Sequence, residues 1–468
     1  MKSGPQMLAV IEKLEDAINF HDFKTRANLG DVYEQMLNDL RGAGNAGEFY
    51  TPRAITAFMA DRVNPRLDKR ESVMDPACGT GGFLTAAIDH FRHQLSTKSS
   101  AEDKHAIENL IHGIEKKQLP HLLCTTNMLL HGIDVPSQIE HKNTLAIGWN
   151  EWSANDKVDC IITNPPLAAM KTMEWAAITR LICAPAKPPT CSCAHHQKTA
   201  ERKWPRRRGA TRWLFVWRWH QRHTEKMLLR DCKLHTIIRL PKGVFAPYTT
   251  IKTNLLFFTK GSTVDDGTEH FHTDTIWFYE HPYPAGYKSY SKTKPIRLEE
   301  FKPEQEWWGN ESNDFAERVE NEFAWKVDFK TKREQAEAAA QPHWQRAEDL
   351  NNQVAALEGK ARDLRNSLVG STNAVHREKI DAQIAELRAQ AEPLRLQARD
   401  AQAAGDRLYW PIFNLDLKNP NVQEEETHDP VLLLEKYKKL LGEIEETENQ
   451  LKSELAAALA HHFVGEDA

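Results

Sequence analysis

Asp75-Pro76-Ala77-Cys78-Gly79-Thr80-Gly81-Gly82-Phe83-Leu84 lies between a short apolar run at Ser72–Met74 and an amphipathic run at Gly82–Phe91. A strand, a glycine-rich turn and a helix in that order predict the opening unit of a parallel α/β sheet. Glycines in such a turn let backbone N–H groups approach a ligand with no Cβ in the way. The pyrophosphate pattern G-x-G-x-x-G is absent, and so is the Gly-Lys-Ser/Thr of a triphosphate loop. Instead an acid, Asp75, precedes the glycines, which suits an ammonium group such as a methionine amine. Asp75, Gly79, Thr80, Gly81 and Gly82 are therefore candidate ligand contacts.

Downstream the alternation continues. Leu110–Ile114 and Val158–Thr163 read as strands, Leu119–Leu130 as a helix, and His235–Leu240 and Thr253–Phe258 as later strands. Strands alternating with helices predict a doubly wound, Rossmann-like sheet that binds ligands at its carboxyl edge. Glu115 ends the second strand, where a carboxylate can accept both hydroxyls of a ribose. Asn143 follows the third strand and is placed to meet an adenine edge. The fourth strand ends in Asn164-Pro165-Pro166-Leu167. Two prolines stiffen that turn and hold Asn164 in place. An exocyclic adenine amine is a poor nucleophile because its lone pair is delocalised into the ring. The Asn164 side-chain oxygen and the Pro165 carbonyl can each accept one N–H of such an amine and draw its nitrogen toward tetrahedral geometry. Positioning and oriented dipoles supply the rate, and no unusual pKa is needed.

Helical periodicity marks both ends. Leu8, Ile11, Leu14 and Ile18, then Leu29, Val32, Tyr33, Met36 and Leu40, predict two helices in an N-terminal segment, 1–45. A core α/β domain spans 46–290. From about 330 to 405 the composition turns rich in Ala, Glu, Gln, Arg, Leu and Lys, and the break at Gly370–Asn373 predicts an antiparallel helical hairpin or coiled-coil arm over 300–410. After the Asp429-Pro430 cap a last helix, 428–462, carries Leu432, Leu433, Leu440, Ile444 and Leu451 along one stripe suited to subunit assembly. No run of eighteen apolar residues occurs, and the acidic, amphipathic N-terminus is unlike a signal peptide. Seven irregularly spaced cysteines suit a reduced, cytoplasmic protein. A net charge of −5 argues against a free-standing, sequence-blind nucleic-acid binder, though not against an enzyme working beside a basic partner.

In order and spacing, Glu48-Phe49-Tyr50-Thr51-Pro52-Arg53, Asp75–Leu84, Glu115 and Asn164–Pro166 resemble the N6-adenine methylases of type I restriction-modification systems, the modification (M) subunits. The resemblance covers about 45–166, 223–262 and, more loosely, the C-terminal helix. It implies S-adenosylmethionine as cofactor, bound by Glu48, Phe49, Tyr50, Thr51, Pro52 and Arg53 with the glycine loop, Glu115 and Asn143. It implies a catalytic motif at Asn164, Pro165, Pro166 and Leu167, no metal, and an adenine flipped out of DNA as the substrate. The implied partners are a specificity (S) subunit, a second M subunit and a restriction (R) subunit. Two other readings stand beside it: a catalytically inactive assembly subunit of that complex, and a protein-glutamine or RNA methyltransferase using the same Asn-Pro-Pro motif. Two departures stand out. The resemblance implies a larger helical region ahead of Glu48. It also implies an aromatic at the fourth motif position, where Leu167 forgoes base stacking worth roughly 1–3 kcal/mol.

The interval 167–226 does not fit the pattern. Trp204, Trp213, Trp217 and Trp219 crowd beside Arg206–Arg208, and Cys183, Cys191, Cys193, His195 and His196 lack the paired spacing of a zinc site. Tryptophan has one codon, TGG, and reading it from its second base always gives glycine. With permitted wobble choices, a shifted frame over 195–226 turns all four tryptophans into the glycines of Asn-Gly-Arg, Pro-Asp-Gly, Phe-Gly and Asp-Gly, as the resemblance requires. Three single-base losses, near 167, 194 and 226, account for the interval. Its arginines would then be misplaced in a sheet, so 167–226 is expected to fold poorly and methyl transfer to be slow or absent.

Overall fold

The apolar runs flanking the glycine loop become neighbouring strands in the computed structural model, which describes residues 4–17, 29, 33, 51–96, 100–146, 158–165, 212–217, 222–246, 252–261, 270–291, 293–368, 374–421 and 430–463. Among them the strands are β1 (Val73–Asp75), β2 (Ile111–Glu115), β3 (Ile139–His141), β4 (Cys160–Thr163), β5 (Arg212–Trp217), β6 (Cys232–Leu240), β7 (Thr253–Lys260), β8 (Thr275–Glu280) and β9 (Ala324–Asp328). The helices are α1 (Gly4–Ala17), α2 (Arg53–Val63), α3 (Gly82–His93), α4 (Ala101–Leu110), α5 (Gln118–Leu130), α6 (Arg222–Asp231), α7 (Lys302–Trp307), α8 (Phe329–Ser367), α9 (Ala374–Tyr409) and α10 (Pro430–Phe463).

The nine strands form one sheet in the order β3-β2-β1-β4-β5-β7-β6-β8-β9. From β3 to β5 every neighbour is parallel, β7 runs antiparallel to β5 and β6, and β9 runs antiparallel to β8. The chain winds outward from β1 through β2 to β3, then returns to place β4 on β1's other side. That reversal opens a crevice at the carboxyl ends of β1 and β4, where doubly wound sheets bind ligands. The register is pinned at the opposite end: Asp159 accepts from the backbone N–H and the hydroxyl of Ser72, each at 2.9 Å.

Period-two alternation sorts the strand side chains onto two cores. Val73, Cys160, Ile162, Leu255 and Phe257 face one core with Ile55, Phe58 and Met59 of α2, Leu84 and Phe91 of α3, and Met128 of α5. Met74, Ile161, Leu256 and Phe258 face the other, with Leu228 and Leu229 of α6 and Phe329, Ala340, Tyr409 and Phe413. Phe58 stacks on Phe301 at 4.3 Å between centroids, which fixes α2 against the turn just before α7. Helices α8 and α9 run antiparallel: Trp344 donates to Asp406 at 3.1 Å near one end, and Ala361 packs with Ile380 and Ile384 near the other. The chain divides into two units, Met1–Asn419 and Pro420–Ala468. In the second, α10 exposes Leu434, Tyr437, Leu440, Leu441, Ile444 and Leu451. No helix among the described residues is long and apolar enough to cross a membrane.

Residues 212–217, inside the interval that looked foreign to a sheet, form β5, in register with Cys160–Thr163 on one side and Asn254–Thr259 on the other. Ladder hydrogen bonds use backbone groups that every sequence carries, and Trp, Leu, Phe and Val all favour strands. Trp204, Trp219, Arg206–Arg208, Cys183, Cys191, Cys193, His195 and His196 lie outside the described residues.

Candidate cofactor and transfer site

Asp75 ends β1 with 1% of its surface exposed, at the crevice between β1 and β4. Its Oδ1 accepts the Ala77 N–H at 3.0 Å and the Thr163 hydroxyl at 2.6 Å. Burial is the largest influence on this carboxyl and raises its pKa to about 7; the Thr163 and Ala77 hydrogen bonds pull it down, and the charge of Glu115 pushes it up again. A buried acid beside a second acid is a place where a cationic ligand relieves two costs at once.

The loop after Asp75 has the backbone that a close-lying ligand requires. Gly79 and Gly81 take left-handed φ values of 54° and 87°. A Cβ on Gly79 would project into open space, whereas one on Gly81 would meet Cys124 Sγ at 2.9 Å. Gly81 is therefore glycine for packing and Gly79 borders a cradle. Asn127 of α5 donates to the Thr80 carbonyl at 3.1 Å and fixes the far side of the loop.

Glu115, half-buried at the end of β2, accepts from the N–H of Gly79 at 2.9 Å through Oε2 and from that of Lys117 at 2.7 Å through Oε1. Each oxygen keeps a lone pair for a hydroxyl. Asn143 is half-buried, and its carbonyl opens a short 3-10 turn by accepting from Ala146 at 3.0 Å. The next residue, Thr144, donates to the Pro76 carbonyl at 2.6 Å and ties that turn to the glycine loop. Asp75, Gly79 and Glu115 thus lie together at the carboxyl ends of β1 and β2, and Thr144 ties the turn that Asn143 opens to the same loop.

Asn164 leaves β4 at the same crevice. Thr163 joins the two halves, since its side chain binds Asp75 and its neighbour is Asn164. The Asn164 amide nitrogen donates to Thr51 Oγ1 at 2.9 Å. Pro165 is buried behind it. Pro52 starts α2 by accepting from Ile55 and Thr56 at 2.9 and 3.2 Å, and Arg53 is exposed on the first turn. Glu48, Phe49, Tyr50, Pro166 and Leu167 lie outside the described residues. Sequence reasoning missed Thr163 as a link and read Thr51 only as pocket lining. Both contacts span more than eighty residues, and the single signal for Thr163 was its place directly before Asn164 on a strand.

Residues 24–190 and 214–352 match the family model of the N-6 DNA methylases, and the match lapses inside the foreign-looking interval. Over 463 residues the chain is 41% identical to the methylase subunit of the type I restriction enzyme EcoEI of Escherichia coli, covering 98% of this chain and 75% of that one. A crystal structure of a modification subunit assigned to a type I restriction enzyme of Vibrio vulnificus YJ016 superposes with a TM-score of 0.52 at 35% identity, over 67% of this chain and 62% of that one. A chain from work on complex assembly and conformational transition of the type I R-M system superposes at 0.56 with 25% identity, over 94% of this chain and 74% of that one.

Proposed function

The chain belongs to the N-6 DNA methylase family as a methylase subunit of the type I kind, and from that premise we propose that the β1–β4 crevice methylates N6 of an adenine flipped out of DNA, with S-adenosylmethionine as donor. The observation that carries this reading is the continuous path Asp75–Thr163–Asn164–Thr51, which sets a carboxylate for a cation and an amide for an amine side by side. When bound, S-adenosylmethionine supplies an electrophilic methyl group. Asp75 holds the donor's amino end, Glu115 its ribose, and Asn143 its adenine edge, with Gly79 giving close backbone approach. Asn164 Oδ1 and the Pro165 carbonyl accept the two N6–H bonds of the target and turn its lone pair toward the donor. The Asn164 amide is oriented beforehand by Thr51, so less reorganisation is left for the transfer step. Leu167, in place of an aromatic, gives a weaker hold on the base.

The assay is tritiated-methyl transfer to unmethylated genomic DNA, with the specificity subunit present. Transfer is expected to be slow from the chain as it stands and faster from a chain whose reading frame is restored across 167–226. Equal rates from both would remove the frame-shift account, and no transfer from either would remove the activity. The reading also places the chain in a complex with specificity, restriction and second methylase subunits in the cytoplasm. The exposed stripe of Leu440, Ile444 and Leu451 on α10 supports a helical partner. Deleting residues 428–468 is expected to abolish co-purification with the specificity subunit, and intact co-purification would refute that.

A further inference from the structure

We infer that Thr51 is a positioning residue for Asn164: its hydroxyl holds the amide so that the oxygen, and not the nitrogen, faces the target amine. The inference rests on the assignment of Asn164 to the target amine. An asparagine amide has two faces, a donor and an acceptor, that differ only by a half-turn about χ2. The target amine is itself a donor. An Asn164 turned the wrong way would set donor against donor and lose the contact that activates the nitrogen.

The structure places an oxygen against the amide's donor side. Asn164 Nδ2 donates to Thr51 Oγ1 at 2.9 Å, leaving Oδ1 as the end not engaged by Thr51. Thr51 is only 8% exposed, so water competes weakly for that bond. Its own place is stiff. It directly precedes Pro52, the N-cap of α2, and α2 is held by Ile55, Phe58 and Met59, all fully buried. The other side of Asn164 is equally fixed, because Thr163 is fully buried and bonded to Asp75. Asn164 therefore sits between two threonines that are 112 residues apart in sequence, one fixing its backbone and one its amide. A supporting shell of this kind holds a reacting group in its productive geometry.

The test uses the full chain with its specificity subunit, unmethylated genomic DNA and saturating tritiated-methyl S-adenosylmethionine under single-turnover conditions. Thr51→Val keeps the shape and removes the acceptor; Thr51→Ser keeps the acceptor. Thr51→Val is expected to slow transfer about tenfold or more at saturating cofactor, Thr51→Ser to recover most of the rate, and Thr51→Val added to Asn164→Ala to change nothing further. Unchanged transfer in Thr51→Val, or equal losses in the Val and Ser variants, would overturn the inference. A normal rate in Asn164→Ala would overturn the site assignment and this inference with it. A second measurement needs no turnover. In protein labelled with 15N at asparagine, one Asn164 side-chain amide proton should be shifted downfield and protected, in wild type and Thr51→Ser but not in Thr51→Val. Identical amide signals in all three would overturn the inference even in a chain that transfers no methyl group.

Discussion

Two clusters of polar side chains stand at the carboxyl edge of the same sheet, one after β1 and β4 and one after β8, and they use their hydrogen-bonding capacity in opposite ways. After β8, His281 is 2% exposed and its Nδ1 meets Glu304 Oε1 at 2.5 Å. Tyr290 reaches His281 Nε2 at 3.4 Å and donates to Glu300. Burial, then the Glu300 contact, pushes the Tyr290 hydroxyl pKa far up. A Cβ on Gly243, in the loop after β6, would lie 2.3 Å from the Tyr290 carbonyl, so that loop is clamped as well. This cluster is turned inward, although Glu304 Oε2 is buried in it without a hydrogen-bond partner. Around β1 and β4, Glu115 and Asn164 are only half-buried and keep oxygens for something else. Polar groups spent inward make a frame; groups held but not spent make a site.

The sharpest way to break that contrast is Asn164→Ala. If the β4 end is the site, removing one oriented acceptor costs methyl transfer on the order of 100- to 1000-fold, as loss of a single oriented transition-state partner does elsewhere. Thermal stability should hardly move, because the side chain is half-buried and its lost partner, Thr51, can turn its hydroxyl. A stability loss equal to the activity loss would make Asn164 part of the frame.

The mirror experiment is His281→Ala. Glu304 is fully buried, and removing its partner strands a carboxyl in the core. We expect a loss of about 3 kcal/mol in urea unfolding, the range for breaking a buried pair from one side. Cofactor affinity of the folded fraction should stay within twofold. Affinity that falls while stability holds would move this cluster into the site.

These two regions also differ in how far the sequence disclosed them. Asp75, the glycine loop, Glu115 and Asn164 were legible because each sits at the junction of a strand and a turn, where local pattern and ligand chemistry coincide. The parallel sheet followed from the same alternation. Strands β8 and β9 were not read, although Thr-Ile-Trp-Phe-Tyr-Glu and Ala-Trp-Lys-Val-Asp suit strands, because they pair with each other across some fifty residues. His281, Tyr290, Glu300 and Glu304 scatter over a stretch with no motif, and only folding brings them together. In β5 the side chains looked foreign and the backbone paired regardless. Local signals marked the candidate site; long-range contacts made the frame and stayed hidden.

Asp75 gives a smaller effect that still separates site from frame. Asp75→Ala is expected to weaken S-adenosylmethionine binding at least tenfold by calorimetry, since the carboxylate is the proposed partner of the amino group. Unchanged affinity would sink that role. Deletions in the His281 cluster, by contrast, are expected to lower stability and leave cofactor affinity of the folded fraction in place.

The mildest perturbation is pH, and here the same carboxyl gives two trends of opposite sign. The pKa of Asp75 in the folded protein is raised to about 7, above the 3.8 of an ordinary aspartate. A raised pKa means that the folded state holds the proton more tightly than the unfolded one. The contribution of Asp75 to stability is therefore complete below about pH 4 and is lost as pH climbs through 7. Binding of a cationic amino group needs the ionised form, so affinity should climb over the upper part of that window. Between pH 6 and pH 8 the cofactor Kd is expected to fall by up to about tenfold, with proton release on binding visible in buffers of different ionisation enthalpy. The thermal shift produced by a fixed cofactor concentration should widen in step, because ligand stabilisation grows with the ratio of concentration to Kd. Asp75→Asn should flatten both trends and leave the rest of the pH profile in place. If affinity stays level from pH 6 to pH 8 in the wild-type chain, the buried acid at the end of β1 belongs with the frame after all, and the partner of the amino group has to be sought elsewhere in the crevice.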